Sequence, residues 1–399
     1  MYLTKEEEKI LAGEEGNAAA KSMKILVALG EIYRAEKLIP VGSVQVAGVS
    51  YHNLGDAGLE YLAELAKDGQ VKVLTMLNPA GMDLENWKNL GISPEFAKKQ
   101  ELVIEAFAKM GITTTCTCTP YLIGNLPRYG EHIAWAESSA VTFANSVIGA
   151  RTNREGGPSA LAAGLIGKTP SYGLHLEENR RPTIHIEVSA NVETLPDFGA
   201  LGYVIGTNAK GEIPYITGIK DADTDKLKSF SASVITYGSK PIFHMEEITP
   251  EAEKYSPPKE KIMIDAKQLK EGYEALNDEV ANLTFVCIGC PHASIKEIAE
   301  VAEVIKGKKV KDGMELWVCT ARPMKSISDN RGYTKVIEDA GGKFACDTCM
   351  VVAPLKGRFD NVVTTSAKAC FYSRGKNKMA TKIGSIEQCI DTAVSGLWK

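Results

Sequence analysis

The chain has 399 residues, of which 44% are hydrophobic and 24% are charged, and its formal net charge is −4. This composition is typical of a globular protein that is long enough to form two or three lobes. The slight negative charge argues against nucleic acid or an anionic membrane surface as a partner, and no apolar run approaches the roughly 20 residues that span a bilayer.

The N-terminal segment is acidic and polar and does not resemble a signal peptide, so we expect a cytoplasmic protein.

The first 150 residues are predicted to alternate between helices and strands. The predicted elements are a helix over 17–38, a strand over 43–49, a helix over 56–67, a strand over 70–77, a helix over 94–110, a strand over 112–118 and a helix over 131–148. Ser50, Asn78 and Cys118 stand at or just past the ends of successive strands. Parallel strands bring their carboxyl ends together, and we therefore expect these three residues to lie close in space.

The rest of the chain is predicted to form a mixed middle lobe and a second α/β half. Residues 183–188 alternate like a half-exposed strand, and residues 251–261 have the composition of a linker. The elements predicted after this linker are strands over 283–288, 315–320, 343–345 and 361–365, with helices over 294–305 and 332–340. We therefore expect lobes over residues 1–150, 151–260 and 261–399.

The nine cysteines are the most informative residue type in the chain. Six of them form close pairs, which are Cys116/Cys118, Cys287/Cys290 and Cys346/Cys349. Without a secretory signal a disulfide framework is not expected, and clustered thiols in a reducing compartment indicate metal binding. The cysteines interpreted as small buried core residues are Cys287, Cys319, Cys370 and Cys389.

Two kinds of metal site are compatible with the cysteine pattern. A zinc site would join Cys287/Cys290 to Cys346/Cys349, but zinc ribbons keep their pairs about 15–20 residues apart, and here a strand, a helix and a further strand intervene. A site with three thiolates and an open fourth coordination position fits the cysteine pattern better than a zinc ribbon does. Soft thiolates favour an iron–sulfur cluster or zinc. An iron with an open position makes a hydroxyl a better leaving group. Together with a base that removes a proton from the neighbouring carbon, this pattern indicates a dehydratase.

Polar side chains at the same strand ends are candidates for holding a substrate. They are Ser50, Asn78, Ser138, Ser366 and Lys368. Hydroxyl, amide and ammonium groups, with nearby backbone N–H groups, donate the hydrogen bonds that substrate carboxylates and hydroxyls accept. On the local pattern alone, His52 is typical of a solvated turn and Glu137 of the exposed face of a helix.

Several motifs together resemble the aconitase X family of the aconitase superfamily, over essentially the whole chain. The motifs are 42–45, 49–52, 77–83, 117–121 and 136–139 in the first half, and 289–292, 347–349 and 365–368 in the second. Each motif alone is weak, but the combination is highly specific. The resemblance implies an aconitase-like, multi-lobe α/β fold in which two α/β halves face a central iron–sulfur site.

The resemblance also implies a cofactor and its ligands. The family holds an iron–sulfur cluster with three cysteines, which correspond here to Cys118, Cys290 and Cys349. Cys116 and Cys118 share one face of a predicted strand, so alternation alone does not choose between them. Cys118 is preferred because it lies nearer the strand end and matches the family pattern. The expected cluster is either 4Fe–4S with one labile iron or 3Fe–4S.

Two branches of the family imply two different substrates. The archaeal branch dehydrates mevalonate 5-phosphate to trans-anhydromevalonate 5-phosphate in isoprenoid synthesis, and it is split into a large and a small subunit. The bacterial branch dehydrates cis-3-hydroxy-L-proline and is often fused to the small, swivelling domain. This chain ends at Lys399 without an added swivelling domain. It therefore resembles a large subunit, and we expect a heterodimer with a small subunit and a phosphorylated hydroxy acid as substrate.

The family pattern further implies which residues meet the substrate. The expected substrate-binding residues are Gly48, Val49, Ser50, His52, Asn78, Pro79, Glu137, Ser138, Ser366 and Lys368. In the superfamily a serine of the swivelling domain is the base, which here would lie on the partner chain. Within this chain the lower-ranked candidate is Ser366. Two other classes stay open, a zinc-stabilised binding protein without chemistry and an iron–sulfur electron carrier.

Overall fold

The computed structural model describes residues 1–398. The strands are β1 (Leu38–Pro40), β2 (Ser43–Val46), β3 (Leu74–Leu77), β4 (Ala134–Trp135), β5 (Lys168–Pro170), β6 (Ile184–Val188), β7 (Pro214–Thr217), β8 (His244–Met245), β9 (Lys261–Ile264), β10 (Phe285–Ile288), β11 (Glu315–Thr320), β12 (Lys343–Cys346), β13 (Asn361–Thr364) and β14 (Ala380–Ile383). The α-helices are α1 (Lys5–Ala12), α2 (Asn17–Ile32), α3 (Tyr51–Leu65), α4 (Pro94–Lys109), α5 (Ser138–Phe143), α6 (Gly157–Ile166), α7 (Leu195–Asn208), α8 (Thr224–Gly238), α9 (Ala266–Leu276), α10 (Ile295–Ile305), α11 (Arg322–Arg331), α12 (Tyr333–Asp339), α13 (Ala367–Tyr372) and α14 (Ile386–Ser395). Within residues 1–398, no helix combines the length and the apolar character needed to cross a membrane.

The first α/β half is built on a parallel sheet with the strand order β3-β2-β4. The chain leaves β2 toward β3 on one side and later returns to pair β4 on the other side. In parallel sheets, ligands bind beyond the carboxyl ends of the strands, at the point where the strand order reverses. The segments that follow these strands carry Gly48, Asn78 and Glu137.

The second α/β half contains the largest sheet, which is entirely parallel and has the order β12-β11-β10-β13-β14. The strands β10, β11 and β12 extend in one direction, whereas β13 and β14 lie on the opposite side of β10. The order therefore reverses between β10 and β13. Cys290 follows β10, Cys349 follows β12, and Lys368 follows β13.

A middle lobe connects the two halves. Its parallel sheet has the order β8-β7-β6-β9, and β6 alternates between buried and half-buried residues as its sequence predicts. Glycine lets α7 and α8 approach closely, because a Cβ at Gly202 would stand 2.6 Å from the Cβ of Ser233. On α8, the Tyr237 hydroxyl donates a hydrogen bond to the Ala367 carbonyl (3.0 Å), which fixes the middle lobe against the start of α13.

The predicted α/β class and two α/β halves are confirmed by this architecture. The parallel sheets are flanked by helices, and each has an apolar core of its own. The helix predicted after Cys290 begins with a capping box, in which the Ser294 hydroxyl accepts the N–H of Glu297 at 3.2 Å. Such reciprocal side-chain caps satisfy amide groups that a helix start otherwise leaves unpaired.

The strand predicted over 112–118 is wrong. Its pairing is limited to a single bridge between Thr113 and Met76, and Cys116 adopts a φ of +43°. The threonine-rich segment has a high strand propensity, but the tertiary context overrides it. The chain instead crosses the end of β3, where the Thr117 N–H donates to the Leu77 carbonyl at 2.9 Å. As a result, strand alternation does not describe Cys116 and Cys118.

The linker predicted over 251–261 is also wrong. Glu251 is 1% exposed, and its carboxylate pairs with the buried guanidinium of Arg180 at 2.8 Å. Ala252–Lys254 forms a 3₁₀ turn, and Lys261 already begins β9. The charged and proline-rich composition resembles a linker, but Glu251, Lys254 and Lys261 form ion pairs with residues of the middle lobe.

Candidate active site

A cavity of about 300 Å³ opens between the strand ends of the two α/β halves. The residues that line it are Ala47, Gly48, Val49, Ser50, Asn53, Asn78, Pro79, Ala136, Glu137, Ser138, Arg154, Val351, Val352, Lys368, Tyr372 and Lys376. Its size suits a small ligand. It lies where both parallel sheets reverse their strand order, which is the location expected for a ligand site.

Three buried thiols come together beside this cavity. Cys118, Cys290 and Cys349 are between 6% and 8% exposed, and they come from three separate segments. Burial raises the pKa of Cys118 and Cys290 to about 12, with further contributions from the charge of Glu137 on Cys118 and of Cys349 on Cys290. Burial also raises the pKa of Cys349, and the charge of Cys118 adds to that rise. The three thiols are therefore close enough for their charges to interact.

His292 connects all three of these cysteine segments. Two residues after Cys290, its backbone N–H donates to Cys118 Sγ at 3.2 Å, and its ring bonds to Thr117 and Thr348, which precede Cys118 and Cys349. Burial lowers the pKa of His292 to about 4, so its ring is neutral. Since the Thr348 carbonyl can only accept, Nε2 carries the proton and donates to it at 2.9 Å. Nδ1 then accepts from the Thr117 hydroxyl at 3.0 Å.

The remaining members of the cysteine pairs have other neighbours. Cys287 Sγ lies 3.5 Å from Cys319 Sγ inside the core, away from the paired-cysteine arrangement that a zinc ribbon requires. Burial raises the pKa of Cys346 and Cys116, and after burial the largest contribution comes from the charge of Asp83 on Cys346 and of Asp347 on Cys116. Both Cys116 and Cys346 thus lie beside an ionic group that is separate from the three thiols.

This ionic group joins the two halves of the molecule. Arg322 donates to Asp83 Oδ1 at 2.9 Å and to Asp347 Oδ2 at 3.1 Å. The second oxygen of Asp83 accepts the N–H of Cys346 at 2.8 Å, and the Ala80 N–H donates to the Asp347 carbonyl at 2.7 Å. These contacts hold the loop after β3 against the loop after β12, and so align the two sides of the cavity.

Glu137 and Lys368 form an ion pair at the inner end of the cavity. Burial would raise the pKa of Glu137, but the charge of Lys368 and hydrogen bonds from Lys368, Asn78 and the Ser139 amide lower it to about 2. Burial would lower the pKa of Lys368, but Glu137, Cys290 and Cys118 raise it. Both groups are therefore charged at neutral pH.

The loops after β2 and β3 are held by a single buried side chain that the sequence analysis did not identify. Gln100 on α4 accepts the Tyr51 N–H at 2.9 Å and the Gly81 N–H at 3.0 Å, and it donates to the Val49 carbonyl at 2.9 Å. This arrangement keeps Gly48, Val49 and Ser50 along the cavity wall. The Ser50 hydroxyl itself donates to the Val352 carbonyl across the cavity mouth at 3.2 Å.

Two of the sequence-predicted residues lie elsewhere. His52 is exposed in the first turn of α3 and does not line the cavity, because residues two apart on a helix do not face the same side. Ser366 is 4% exposed, and its hydroxyl accepts the N–H of Ala369 as the cap of α13 at 3.1 Å. It lies near Cys290, whose pKa it lowers, rather than in the cavity wall.

The structure adds cavity residues that the sequence analysis missed. They are Ala47, Asn53, Ala136, Arg154, Val351, Val352, Tyr372 and Lys376. Asn53 stands three positions after Ser50 in the first turn of α3, where residues three apart share a face, but the helix predicted from the sequence begins only at residue 56. The others have no local pattern that distinguishes them from ordinary loop residues.

The donor set fits an iron–sulfur cluster. Among residues 1–398, no three His, Cys, Asp or Glu side chains are arranged to hold a single metal ion. A cluster of several iron atoms separates its cysteine ligands more widely than one ion does, and N–H groups that donate to the sulfurs are typical of such sites. The His292 N–H contacts Cys118 in this way. Asn78 Oδ1 and Thr348 Oγ1, near these thiols, are buried polar atoms without a partner.

Comparisons with known proteins agree with this geometry. Sequence profiles of the aconitase X first, second and third domains match residues 1–178, 182–274 and 283–395. The chain is 50% identical to the phosphomevalonate dehydratase large subunit of Methanocaldococcus jannaschii, over 98% of this chain and 99% of the relative. It is 30% identical to the cis-3-hydroxy-L-proline dehydratase of Pseudomonas aeruginosa, over 98% of this chain and 69% of the relative. The crystal structure of Thermococcus kodakaraensis aconitase X in its holo-form is 46% identical, with a TM-score of 0.92 over 98% of this chain and all of that chain.

Proposed function

The chain belongs to the aconitase X family, and we propose that it is the large subunit of a hydro-lyase. The reaction is the dehydration of (R)-mevalonate 5-phosphate to trans-anhydromevalonate 5-phosphate, in an archaeal-type mevalonate route to isoprenoids. The observation that carries this proposal is the identity of 50% and 47% to two phosphomevalonate dehydratase large subunits, over nearly the full length of both chains. The cytoplasmic location expected from the sequence stays a prediction.

The proposed cofactor is an iron–sulfur cluster held by Cys118, Cys290 and Cys349. We expect either 4Fe–4S with one labile iron or 3Fe–4S, since three cysteines suit both forms. A bound cluster with an open coordination position supplies a Lewis acid for the hydroxyl that leaves as water. The His292 N–H donates to Cys118 Sγ, which favours the deprotonated sulfur that a cluster requires.

The chain's own polar groups are proposed to orient the substrate. The wall of the cavity nearest the first sheet is formed by Ser50 and Asn78 and by the backbone at Gly48, Val49 and Pro79. Asn78 donates to Glu137 at 2.8 Å, and its buried Oδ1 is available to accept from a substrate hydroxyl. Hydrogen-bonding groups fixed in advance bind a developing charge without the cost of reorganising water.

Glu137, Ser138 and Lys368 complete the proposed substrate site from the other side. Lys368 is positively charged and nearly buried, so it can hold an anionic group near the thiols. Glu137 is a poor general base, because a pKa of about 2 leaves little affinity for a substrate proton at neutral pH. Ser366 is engaged as a helix cap. The missing base supports the proposal that a small, swivelling-domain subunit completes the site and forms a heterodimer with this chain.

The alternative function is dehydration of cis-3-hydroxy-L-proline, supported by relatives at 30% and 31% identity. The identity is lower than that to the phosphomevalonate enzymes, and those relatives extend well beyond the matched region. A zinc-stabilised binding protein is disfavoured by the contact of Cys287 with Cys319 rather than with the other cysteine pair.

A substrate comparison tests the proposal. The chain is purified anaerobically, its cluster is reconstituted, and it is combined with the matching small subunit. Mevalonate 5-phosphate and cis-3-hydroxy-L-proline are then supplied separately, and alkene formation is followed by proton NMR. We expect turnover of mevalonate 5-phosphate only. Turnover of the hydroxyproline alone would establish the alternative, and a colour change without any turnover would support the electron carrier.

A further inference from the structure

The cavity carries more positive than negative charge. Its ionisable lining residues are the cations Arg154, Lys368 and Lys376 and a single carboxylate, Glu137. Lys368 and Glu137 neutralise each other as an ion pair. Two positive charges, on Arg154 and Lys376, therefore remain without a carboxylate inside the cavity.

Neither of these two cations has an anionic partner elsewhere in the described part of the chain. Lys376 is half-buried on the π-helical turn Ser373–Asn377, where its ammonium donates to the Val351 carbonyl at 3.1 Å and to Asn53 Oδ1 at 3.5 Å. Arg154 is exposed in the loop before α6, and it makes no ion pair or side-chain hydrogen bond within residues 1–398. A half-buried ammonium held only by neutral groups is an incomplete electrostatic arrangement that an anion completes.

The two cations also differ from the inner ion pair in depth. The side chains of Lys368 and Glu137 are 7% and 12% exposed, and the charges of Cys290 and Cys118 act on Lys368, which places this pair at the thiol end. Lys376 is half-buried, and of the three thiols only Cys349 acts on its charge, while Arg154 is exposed. The cavity thus has an inner end, where Lys368 and Glu137 are almost fully buried beside the thiols, and an outer cationic end formed by the less buried Lys376 and the exposed Arg154.

This polarity matches a substrate with an anion far from its reacting carbons. Mevalonate 5-phosphate carries its carboxylate and leaving hydroxyl at one end and its phosphate at the other. With the reacting end beside the thiols, the phosphate comes to the outer end. Arginine binds phosphate through two parallel N–H groups, and lysine adds a compact positive charge.

We propose that Arg154 and Lys376 bind the phosphate of the substrate and thereby determine specificity for a phosphorylated hydroxy acid over its unphosphorylated counterpart. The proposal rests on the proposed function, because it assigns the far end of the same substrate. The inner end, with Glu137 and Lys368, is common to any hydroxy acid that the cavity admits. Only the outer end, with Arg154 and Lys376, distinguishes a phosphorylated hydroxy acid from its unphosphorylated counterpart.

The experiment compares Arg154→Gln and Lys376→Gln with two matched controls in the reconstituted two-subunit enzyme. The controls are Arg181→Gln, an exposed arginine, and Lys382→Gln, a half-buried lysine on β14, neither of which lines the cavity. Steady-state rates are measured with mevalonate 5-phosphate and with mevalonate, and inorganic phosphate is tested as an inhibitor. Iron content is measured for every variant.

We expect each cavity variant to raise KM for mevalonate 5-phosphate by about tenfold to a hundredfold, as the loss of a charge-assisted hydrogen bond predicts. The iron content and kcat should change little, since the phosphate is remote from the reacting carbons. The preference for mevalonate 5-phosphate over mevalonate should shrink by the same factor, and inhibition by phosphate should weaken. The two control variants should match the wild type.

Other outcomes overturn the proposal. Cavity variants with unchanged KM and unchanged phosphate inhibition would remove both residues from the phosphate site. An unchanged KM at saturating small subunit, combined with weaker subunit association, would show that the two cations contact the partner chain instead. A wild-type enzyme that dehydrates only unphosphorylated hydroxy acids would refute the proposed function. In that case, phosphate binding measured by ³¹P NMR on wild type and variants still decides whether the cationic end binds phosphate.

Discussion

At the scale of single residues, the cavity depends on charges that are buried only because they are paired. The Glu137 carboxylate accepts from the Lys368 ammonium, the Asn78 amide, the N–H and the hydroxyl of Ser139 (3.4 and 3.1 Å) and the Ser138 hydroxyl (3.5 Å). Burying a carboxylate alone is costly, whereas a carboxylate with this set of partners stays ionised. The same pair fixes Lys368 beside the thiols, so a structural requirement and a proposed substrate contact coincide in one ion pair.

The pH dependence of stability tests this pairing. Glu137 has a folded-state pKa of about 2, below its ordinary value of 4.5. It therefore contributes stability above pH 4.5, on the order of 3 kcal/mol, which is lost as the pH falls toward 2. We expect the difference in free energy of unfolding between the wild type and Glu137→Gln to shrink by about half between pH 5 and pH 3. Urea unfolding of the cluster-free chain measures it, and a constant difference would contradict the pairing.

A pair of cysteine variants tests the cluster ligands. Cys290→Ala should abolish iron binding, whereas Cys287→Ala should retain it, because Cys287 lies 3.5 Å from Cys319 in the core. Each substitution removes one buried thiol, and the two positions are close in the chain. Cys287→Ala therefore controls for the loss of packing in Cys290→Ala. Iron and sulfide are measured after anaerobic reconstitution. Normal iron content in Cys290→Ala would exclude it as a ligand.

At the scale of elements, the site depends on the close approach of the turn after β10 to β11. Gly289 has a φ of +101°, and a Cβ there would stand 2.0 Å from the Cys319 carbonyl oxygen. Only glycine fits this turn, since any side chain would meet the backbone of the next strand. The close approach holds the turn that carries Cys290 against the end of β11.

Replacing this glycine should therefore damage both stability and the site. Gly307 provides the control, because it also has a positive φ (+74°) but has open space around its Cβ position. We expect Gly307→Ala to cost about 1–2 kcal/mol for the backbone conformation alone. Gly289→Ala should cost clearly more and should lower iron content. Thermal unfolding and iron analysis provide the measurements, and equal effects of the two variants would argue against the close approach.

At the scale of the whole molecule, two α/β halves are held face to face by contacts far apart in the sequence. Arg322 joins Asp83 to Asp347, and the Ser50 hydroxyl reaches the Val352 carbonyl. The cavity between the halves is lined by the cationic residues Arg154, Lys368 and Lys376 and by one carboxylate, Glu137, whose low pKa makes it a poor base. In the described part of the chain, the groups that could bind a hydroxy acid are therefore more complete than the groups that could remove its proton.

Turnover should consequently depend on the second subunit. The reconstituted chain alone is expected to bind mevalonate 5-phosphate, seen as a change in the cluster's absorption spectrum, but to form no product. Addition of an equimolar small subunit should restore dehydration, because it supplies the base. Rates measured at increasing amounts of small subunit test this dependence. Full turnover by the isolated chain would require a base within this chain and would refute the two-subunit proposal.

The sequence by itself determined the features that depend on local pattern. Short apolar runs predicted strands such as β11 and β13, the Ser294 residue predicted the start of α10, and turn residues marked the strand ends where Cys290 and Asn78 stand. These features follow from backbone periodicity and short-range hydrogen bonds, which neighbouring residues specify. The family motifs extended this reading to the whole chain, and they predicted the aconitase X relationship that the comparisons confirm.

Only the tertiary structure decided which of these residues meet. Several contacts join segments that no local pattern relates. Glu137 pairs with Lys368, and His292 bonds to Cys118 and Thr348. Arg154 likewise reaches the cavity from a distant loop. The segment over 112–118 shows the limit most clearly, since its threonines favour a strand but the end of β3 takes its hydrogen bonds. Such contacts arise from the packing of whole sheets against each other, and packing depends on the shape of the entire chain rather than on any short stretch of it.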